Sequence, residues 1–251
     1  MLRTMSDVVA GPLDLRSAVR RRLVMTPERV TGGQSNICSI SAYTSGMDFQ
    51  STLFAPAESR EPDPGALGRT PLTRGAWVDI ARSWLPDADD VFETLVRDVP
   101  WRAERRQMYD RVVDVPRLVH TYMIGEELPH AALTQAREAL SEHYADELGE
   151  PFRTAGCCYY RDGRDSVAWH GDTIGRGKTI DTMVAIVSVG DPRRLHLRPR
   201  LGGADAIVVE MGHGDLVVMG GSCQRTWEHA VPKVAHAGPR ISVQFRPLNV
   251  F

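Results

Sequence analysis

Three residues stand out for the chemistry they could do together: His170, Asp172 and His229. His170-Gly-Asp172 closes a strand-like stretch that begins near Val167, and His229 stands at the edge of another. Side chains two residues apart on a strand share a face, so His170 and Asp172 can both reach one ion. Two imidazoles and a carboxylate on one side of a metal leave the opposite positions open, which is what an Fe(II) oxygenase needs for a co-substrate and O2. The same donors suit a catalytic zinc, but the His-Glu-x-x-His helix of a zinc protease is absent from the sequence. A second His-x-Asp, His213-Gly-Asp215, falls in a glycine-flanked turn and reads as structural. His120, His130, His143, His196 and His236 have no carboxylate partner at ligand spacing.

Beyond His229, Arg240 and Arg246 alternate with Ile241, Val243 and Phe245. On one strand both guanidiniums then face one way and the apolar side chains the other. Inward arginines are costly to bury without partners. They call for a dianion, and a dicarboxylic acid bound beside the metal meets that need.

The surrounding chain must hold these groups in place. It has 251 residues, 42% hydrophobic and 25% charged, with a formal net charge of -2, which fits one soluble globular domain. Near-zero net charge excludes a coat that binds nucleic acid by bulk electrostatics, though not a local basic groove. All basic residues except Lys178 and Lys233 are arginine, a bias that reflects base composition more than phosphate binding. Cys38, Cys157, Cys158 and Cys223 show no CxxC spacing and no secretory preamble, so neither a disulfide scaffold nor a cysteine zinc site is expected. Apolar runs such as 183–189 fall far short of the ~20 residues of a membrane span. A cytoplasmic monomer is expected.

Residues 1–73 read as a poorly ordered extension and linker, with Arg20-Arg-Arg22 and the Pro-rich stretch Glu58 to Gly65, and residues 74–251 as the folded domain. Met47 is an alternative start, because the stretch from Asp48 to Phe54 resembles a natural opening. Ala76 to Ile80 alternates like a strand; Asp87 is placed to cap a helix through about Arg97; and Leu133, Ala136, Leu140, Tyr144 and Leu148 form one stripe of a helix over 131–148. After Gly156 come seven short strand-like runs split by glycines, the last Ile241 to Phe245, as in a sandwich or barrel. The expected fold is mainly β with flanking helices.

With these residues in place, the sequence resembles the AlkB family of Fe(II)/2-oxoglutarate dioxygenases, which oxidatively demethylate nucleic-acid bases. The resemblance covers roughly Val99 to Pro247. It rests on Tyr160-Arg-Asp-Gly-Arg-Asp-Ser-Val-Ala-Trp-His-Gly-Asp172, His213-Gly-Asp-Leu-Val-Val-Met219, Trp227-Glu-His-Ala-Val-Pro-Lys233 and Arg240-x5-Arg246. Val99-Pro-Trp101, Asp114-Val-Pro-Arg-Leu118 and Tyr122 also look like the substrate side of members acting on DNA. The resemblance implies a double-stranded β-helix, or jelly roll. It implies Fe(II) held by His170, Asp172 and His229, with Arg240 and Tyr160 on the far carboxylate of 2-oxoglutarate and Arg246 near the chelating end. Substrate, 2-oxoglutarate and O2 would then give succinate, CO2, formaldehyde and the repaired base, such as adenine from 1-methyladenine or cytosine from 3-methylcytosine in DNA. Arg225 falls on a recurrent family arginine.

A base must leave its stack to reach a metal sunk in a barrel. Trp101, Tyr122 and His130 are candidates for its pocket or lid, and Arg176 or Lys178 for a phosphate contact from a glycine-rich loop. Arg194, His196, Arg198 and Arg200 alternate along one strand face as a basic stripe or, equally well, a solvated outer face. Two other expectations compete with DNA repair: a related dioxygenase acting on RNA, protein or a small molecule, and a decayed, non-catalytic nucleic-acid-binding module. Retention of the three ligands and both arginines opposes decay.

Two positions depart from the family pattern. Ile174 stands where an acid often reads the exocyclic amine of the damaged base, and Cys158 stands where Asn is usual, two residues before Tyr160. Cysteine is a weak hydrogen-bond partner. Its presence is therefore expected to weaken co-substrate affinity without abolishing turnover, and a Cys158→Asn variant should bind 2-oxoglutarate more tightly in a direct titration.

Overall fold

The central strands of this protein alternate in two different directions of burial. In the computed structural model, which describes residues 61–108, 111–202 and 205–250, twelve strands form two antiparallel sheets. The larger has the order β1-β2-β10-β7-β12-β5-β4-β3, built from β1 (Gly68–Pro71), β2 (Ala76–Ala81), β3 (Arg102–Met108), β4 (Arg111–Tyr122), β5 (Thr154–Tyr160), β7 (Val184–Gly190), β10 (Asp215–Gly221) and β12 (Arg240–Arg246). The smaller runs β6-β11-β8-β9, from β6 (Val167–His170), β8 (Arg193–Pro199), β9 (Ile207–Met211) and β11 (Trp227–Val231).

Each central strand of the larger sheet serves two cores. Val184 and Ile186 of β7, with Val217 and Met219 of β10, face the smaller sheet and meet Leu195, Leu197, Val209 and Trp227. Their neighbours Ala185, Val187, Val189, Leu216 and Val218 face the other way, onto the helices α1 (Ala88–Asp98) and α2 (Ala131–His143). Two sheets closed over an apolar interior, with helices sealing one outer face, make the jelly roll that the family resemblance implied and narrow the sandwich or barrel read from the strand pattern. All described residues lie in one compact unit, and no helix among them is long and apolar enough to cross a membrane.

Several local expectations are revised. The helix anticipated over 131–148 breaks at Tyr144, followed by the short α3 (Ala145–Leu148). Tyr144 is fully buried, and its hydroxyl donates to the buried Asp79 at 2.8 Å, an acid also paired with Arg69 of β1. Asp87 precedes α1 in left-handed conformation (φ 52°) and makes no capping hydrogen bond through its side chain; Asp89 and Asp90 in the first turn complement the helix dipole instead. Strand β1 lies inside the stretch assigned to the extension and pairs with β2 from Gly68↔Ile80 to Pro71↔Trp77, so ordered chain lies on both sides of residue 73. Residues 1–60, including the arginine run, the alternative start at Met47 and the first three residues of the Pro-rich linker, lie outside the described residues.

The β3–β4 hairpin had no strand signal in the sequence. Charged residues mask its alternation, and Pro116 argues against a central strand. The proline is tolerated because the β3–β4 register shifts between Ala103 and Arg105, leaving no ladder partner at that position.

The helix-side core sets the stability. Leu133→Ala, at a fully buried position of α2, should lower unfolding free energy by about 2–5 kcal/mol, measurable by urea denaturation.

Candidate functional site

The two histidines meet because β6 and β11 are antiparallel neighbours with His229 directly opposite His170. Their ring centroids are 4.2 Å apart. Asp172 lies just past the end of β6, where the chain turns (Thr173 N–H to Gly171 O, 2.7 Å), so it reaches the pair from a turn and not from the strand position expected for it. Gly171 is required there, since a Cβ would lie 2.5 Å from both the Arg200 guanidinium and the Gln224 carbonyl. One ligand atom from each of His170, Asp172 and His229 lies within 4.8 Å of the others. Among the described residues no other group of three such side chains does so.

Protonation states suit a cation. The Ala168 carbonyl, 2.8 Å from His170 Nδ1, can only accept, so Nδ1 carries the proton and Nε2 presents its lone pair. Burial, reinforced by His170, pushes His229 down to about 3, which keeps it neutral. For Asp172 burial acts upward, but Arg246 and the two histidines outweigh it and hold the carboxyl well below the usual range. Arg246 Nε donates to Asp172 Oδ2 at 2.7 Å, and the Gln224 side-chain carbonyl accepts from the Asp172 backbone N–H at 3.0 Å. One carboxylate oxygen is thus oriented by protein while Oδ1 faces His170 Nε2 at 3.7 Å. The second His-x-Asp is structural: His213 Nδ1 accepts from Gly190 N–H, and Asp215 accepts from Gly212 and Ser83 N–H.

The even positions of β12 face the space between the sheets. Arg240, only 2% exposed, donates through Nε to Ser188 Oγ at 2.9 Å, hydrogen-bonds Tyr160 and lies 5.1 Å from its ring. Burial lowers its pKa and raises that of the Tyr160 hydroxyl, so Tyr160 remains a neutral donor. One terminal nitrogen of Arg240 has no partner. A buried guanidinium with an open donor fits an anion, and Arg246 stands at the other end of the strand beside Asp172. Six residues of strand span roughly 20 Å, so two long side chains reaching inward can meet opposite ends of one small dicarboxylate. Between them lie Ser242, Gln244 and, paired across from Ser242, Cys158.

A cavity of about 850 Å³ opens from this floor and is lined by Cys158, His170, Asp172 and Arg246 together with residues of β4 and β6. Other anticipated contacts lie elsewhere. His130 caps α2, accepting from Ala132 N–H and meeting Asp90 at 3.0 Å. Trp101 Nε1 donates to the Leu95 carbonyl and its ring packs on Tyr159. Tyr122 packs on the helix-side core with His120 against its edge. Arg176 pairs with Glu150 and Arg225 with Asp181. The stripe on β8 is a solvated face: Arg198 donates to Glu228, Arg194 stands opposite Glu210, and Arg200 reaches the Gln224 carbonyl.

Four residues in the cavity wall were not named as contacts by the sequence reading: Arg117, His120, Trp169 and Lys233. Arg117 donates to Cys158 Sγ at 3.3 Å and to the Ser166 carbonyl at 3.2 Å, so the thiol has a cationic partner. Trp169 could have been found from its place beside His170; Arg117 lies in the Asp114 to Leu118 segment that resembles the substrate side, but its contact with Cys158 depended on the unrecognised hairpin.

Asp172→Ala is expected to abolish stoichiometric binding of a divalent cation, measured by metal analysis after gel filtration. Arg240→Met should weaken 2-oxoglutarate binding by at least tenfold in calorimetric titration while leaving the cation in place.

Comparison with known proteins agrees with this geometry. Residues 84–246 match the 2OG-Fe(II) oxygenase superfamily. Alpha-ketoglutarate-dependent dioxygenase alkB homolog 3 of Bos taurus is 32% identical over 205 residues, covering 73% of this chain and 67% of the relative. The Homo sapiens protein of the same name is 30% identical over 202 residues, with the same coverage of each. The solved structure of OsALKBH1 aligns at a TM-score of 0.48 and 13% identity, over 71% of this chain and all of that one. With the superfamily match spanning the strands that carry the site, and close to a third of residues shared with these relatives, this chain belongs to the AlkB family of dioxygenases that use Fe(II), 2-oxoglutarate and O2.

Proposed function

We propose that the protein removes N-methyl groups from the pairing edges of adenine and cytosine in DNA, 1-methyladenine and 3-methylcytosine being its lesions, as a repair enzyme. The observation that carries this reading is the cavity above the His170, Asp172 and His229 cluster. At about 850 Å³ it is far larger than a small dicarboxylate requires and falls in the range of sites that enclose an organic ligand. Similarity to alkB homolog 3 supports the same reaction class.

In this reading His170, Asp172 and His229 hold the iron, Arg240 and Tyr160 bind the distal carboxylate of 2-oxoglutarate, and Arg246 orients Asp172 beside the chelating end. The bound iron and co-substrate supply the oxidant for a C–H bond. The net reaction converts N–CH3, O2 and 2-oxoglutarate into N–H, formaldehyde, succinate and CO2. Neutral His229 and ionised Asp172 need no proton to leave before the metal binds. Walls from β4 and β6 limit water at the reacting carbon. Arg117 presents N–H donors to the cavity near Cys158, suited to the C2 carbonyl of a methylated cytosine or a ring-nitrogen acceptor of a methylated adenine.

The test is mass spectrometry of oligonucleotides bearing one 3-methylcytosine or 1-methyladenine, incubated with protein, Fe(II), 2-oxoglutarate and ascorbate beside a His170→Ala control. Loss of one methylene's mass only with the intact protein and both cofactors is the expected result. Succinate without loss of mass would redirect the search to RNA, protein or small-molecule substrates. Absence of succinate as well would favour the non-catalytic binding module.

A further inference from the structure

An exposed tryptophan beside a catalytic cluster invites the question of what covers it. Trp169 is 37% exposed although it directly precedes His170. Neighbouring residues of a strand point to opposite faces. Both nevertheless line the same cavity. This is geometrically consistent only because β6 is the end strand of the smaller sheet, paired with β11 alone. The mouth of the cavity therefore turns around the free edge of β6, with His170 inside and Trp169 outside.

The indole is held in place from behind. The Arg198 guanidinium lies 4.1 Å from its ring centroid, and that guanidinium is itself fixed by two hydrogen bonds to Glu228, at 3.2 and 3.1 Å. His196 meets the ring edge-on at 6.3 Å. One face is thus covered by a cation and the remainder is open at the cavity mouth. Because Glu228 balances Arg198 and Glu210 stands opposite Arg194, the outer face of this sheet is poorly suited to gripping phosphates. What it offers is a rigid aromatic surface, and such surfaces bind unpaired bases by stacking, with little regard to sequence.

From this arrangement we propose that Trp169 is the platform for the nucleobase adjoining the one in the cavity, so that the enzyme holds an unpaired strand bent around the edge of β6. The proposal rests on the nucleic-acid reading above. A base in a duplex is already stacked on its neighbours, whereas in a single strand it is free to stack on an aromatic side chain. A lesion with a base beside it, and not a gap, is therefore bound more tightly.

The test is anaerobic binding of the Fe(II) and 2-oxoglutarate holoprotein to single-stranded oligonucleotides with one 3-methylcytosine, the nucleotide on either side being thymidine or an abasic site. With the unaltered protein, removing the base on one side should weaken binding about tenfold. Trp169→Ala should bind weakly and be indifferent to that base, and Trp169→Phe should restore most of the dependence. Because Trp169 adjoins His170, retention of the Fe(II) and 2-oxoglutarate absorption band is checked for both variants, and where the alanine variant loses it the phenylalanine variant is compared with Trp169→Leu. Unaltered protein indifferent to both neighbours, or an aliphatic variant as sensitive as the unaltered protein, overturns the platform. Unaltered protein that binds no oligonucleotide overturns the nucleic-acid reading itself, and the platform with it.

Discussion

The site depends on a single strand that is buried on both sides yet faces two kinds of interior. β12 lies between β7 and β5 in the larger sheet. Ile241, Val243 and Phe245 enter the core shared with the helices, while Arg240, Ser242, Gln244 and Arg246 enter the space between the sheets. A slip of one residue would drive two guanidiniums into a hydrocarbon core and expose the apolar set to the polar cavity, so the register is tightly specified. Helices α1 and α2 have an indirect part in the chemistry: by sealing the outer face they make β12 a two-sided interior strand, and its polar side becomes a site.

Burying charge has to be matched by partners. At one end of β12, Arg246 is satisfied by Asp172; at the other, Arg240 has Ser188 and Tyr160 but keeps one terminal nitrogen without a partner. The first contact holds the Asp172 carboxylate in its ionised form and points its other oxygen at the histidines. The second leaves a buried cation with an unmet hydrogen bond, which in the proposed reading the distal carboxylate of 2-oxoglutarate would fill. In that reading the polarity of the strand orients the two ends of the co-substrate, with Ser242, Gln244 and Cys158 between them.

Short-range pattern carried much of this and failed where the pattern was masked. The period of two over Ile241 to Phe245 and the apolar run Met183 to Val189 revealed the central strands, and His170-Gly-Asp172 with His229 marked the cluster that could hold a metal. The β3–β4 hairpin went unread because its alternation is hidden by arginines and a proline, and with it the contact of Arg117 with Cys158, although the segment Asp114 to Leu118 was recognised by its resemblance to the substrate side. Trp101, within a segment that resembles the substrate side of the family, and His130 were suggested as pocket residues. Each instead finishes a local structural task, one bonded to the carbonyl of Leu95 and the other capping α2. Arg176 and Arg198 were suggested by charge and Arg225 by its place in the family pattern, and each has an acid within reach that a linear reading does not show.

By itself, the sequence determined which side chains share a strand face, because a period of two is a property of the extended backbone and needs no partner. It therefore specified the arginine pair and the apolar face beneath them, whereas Asp172 joins the histidines from a turn past the end of β6. Tertiary structure alone decided which strands lie side by side and hence what each charge meets. Pairing of β11 with β6 sets His229 opposite His170; the turn at Gly171 brings Asp172 to Arg246; and the end position of β6 puts Trp169 at the mouth of the cavity. These contacts join residues far apart in the chain, and their energies depend on burial that exists only once both sheets have closed.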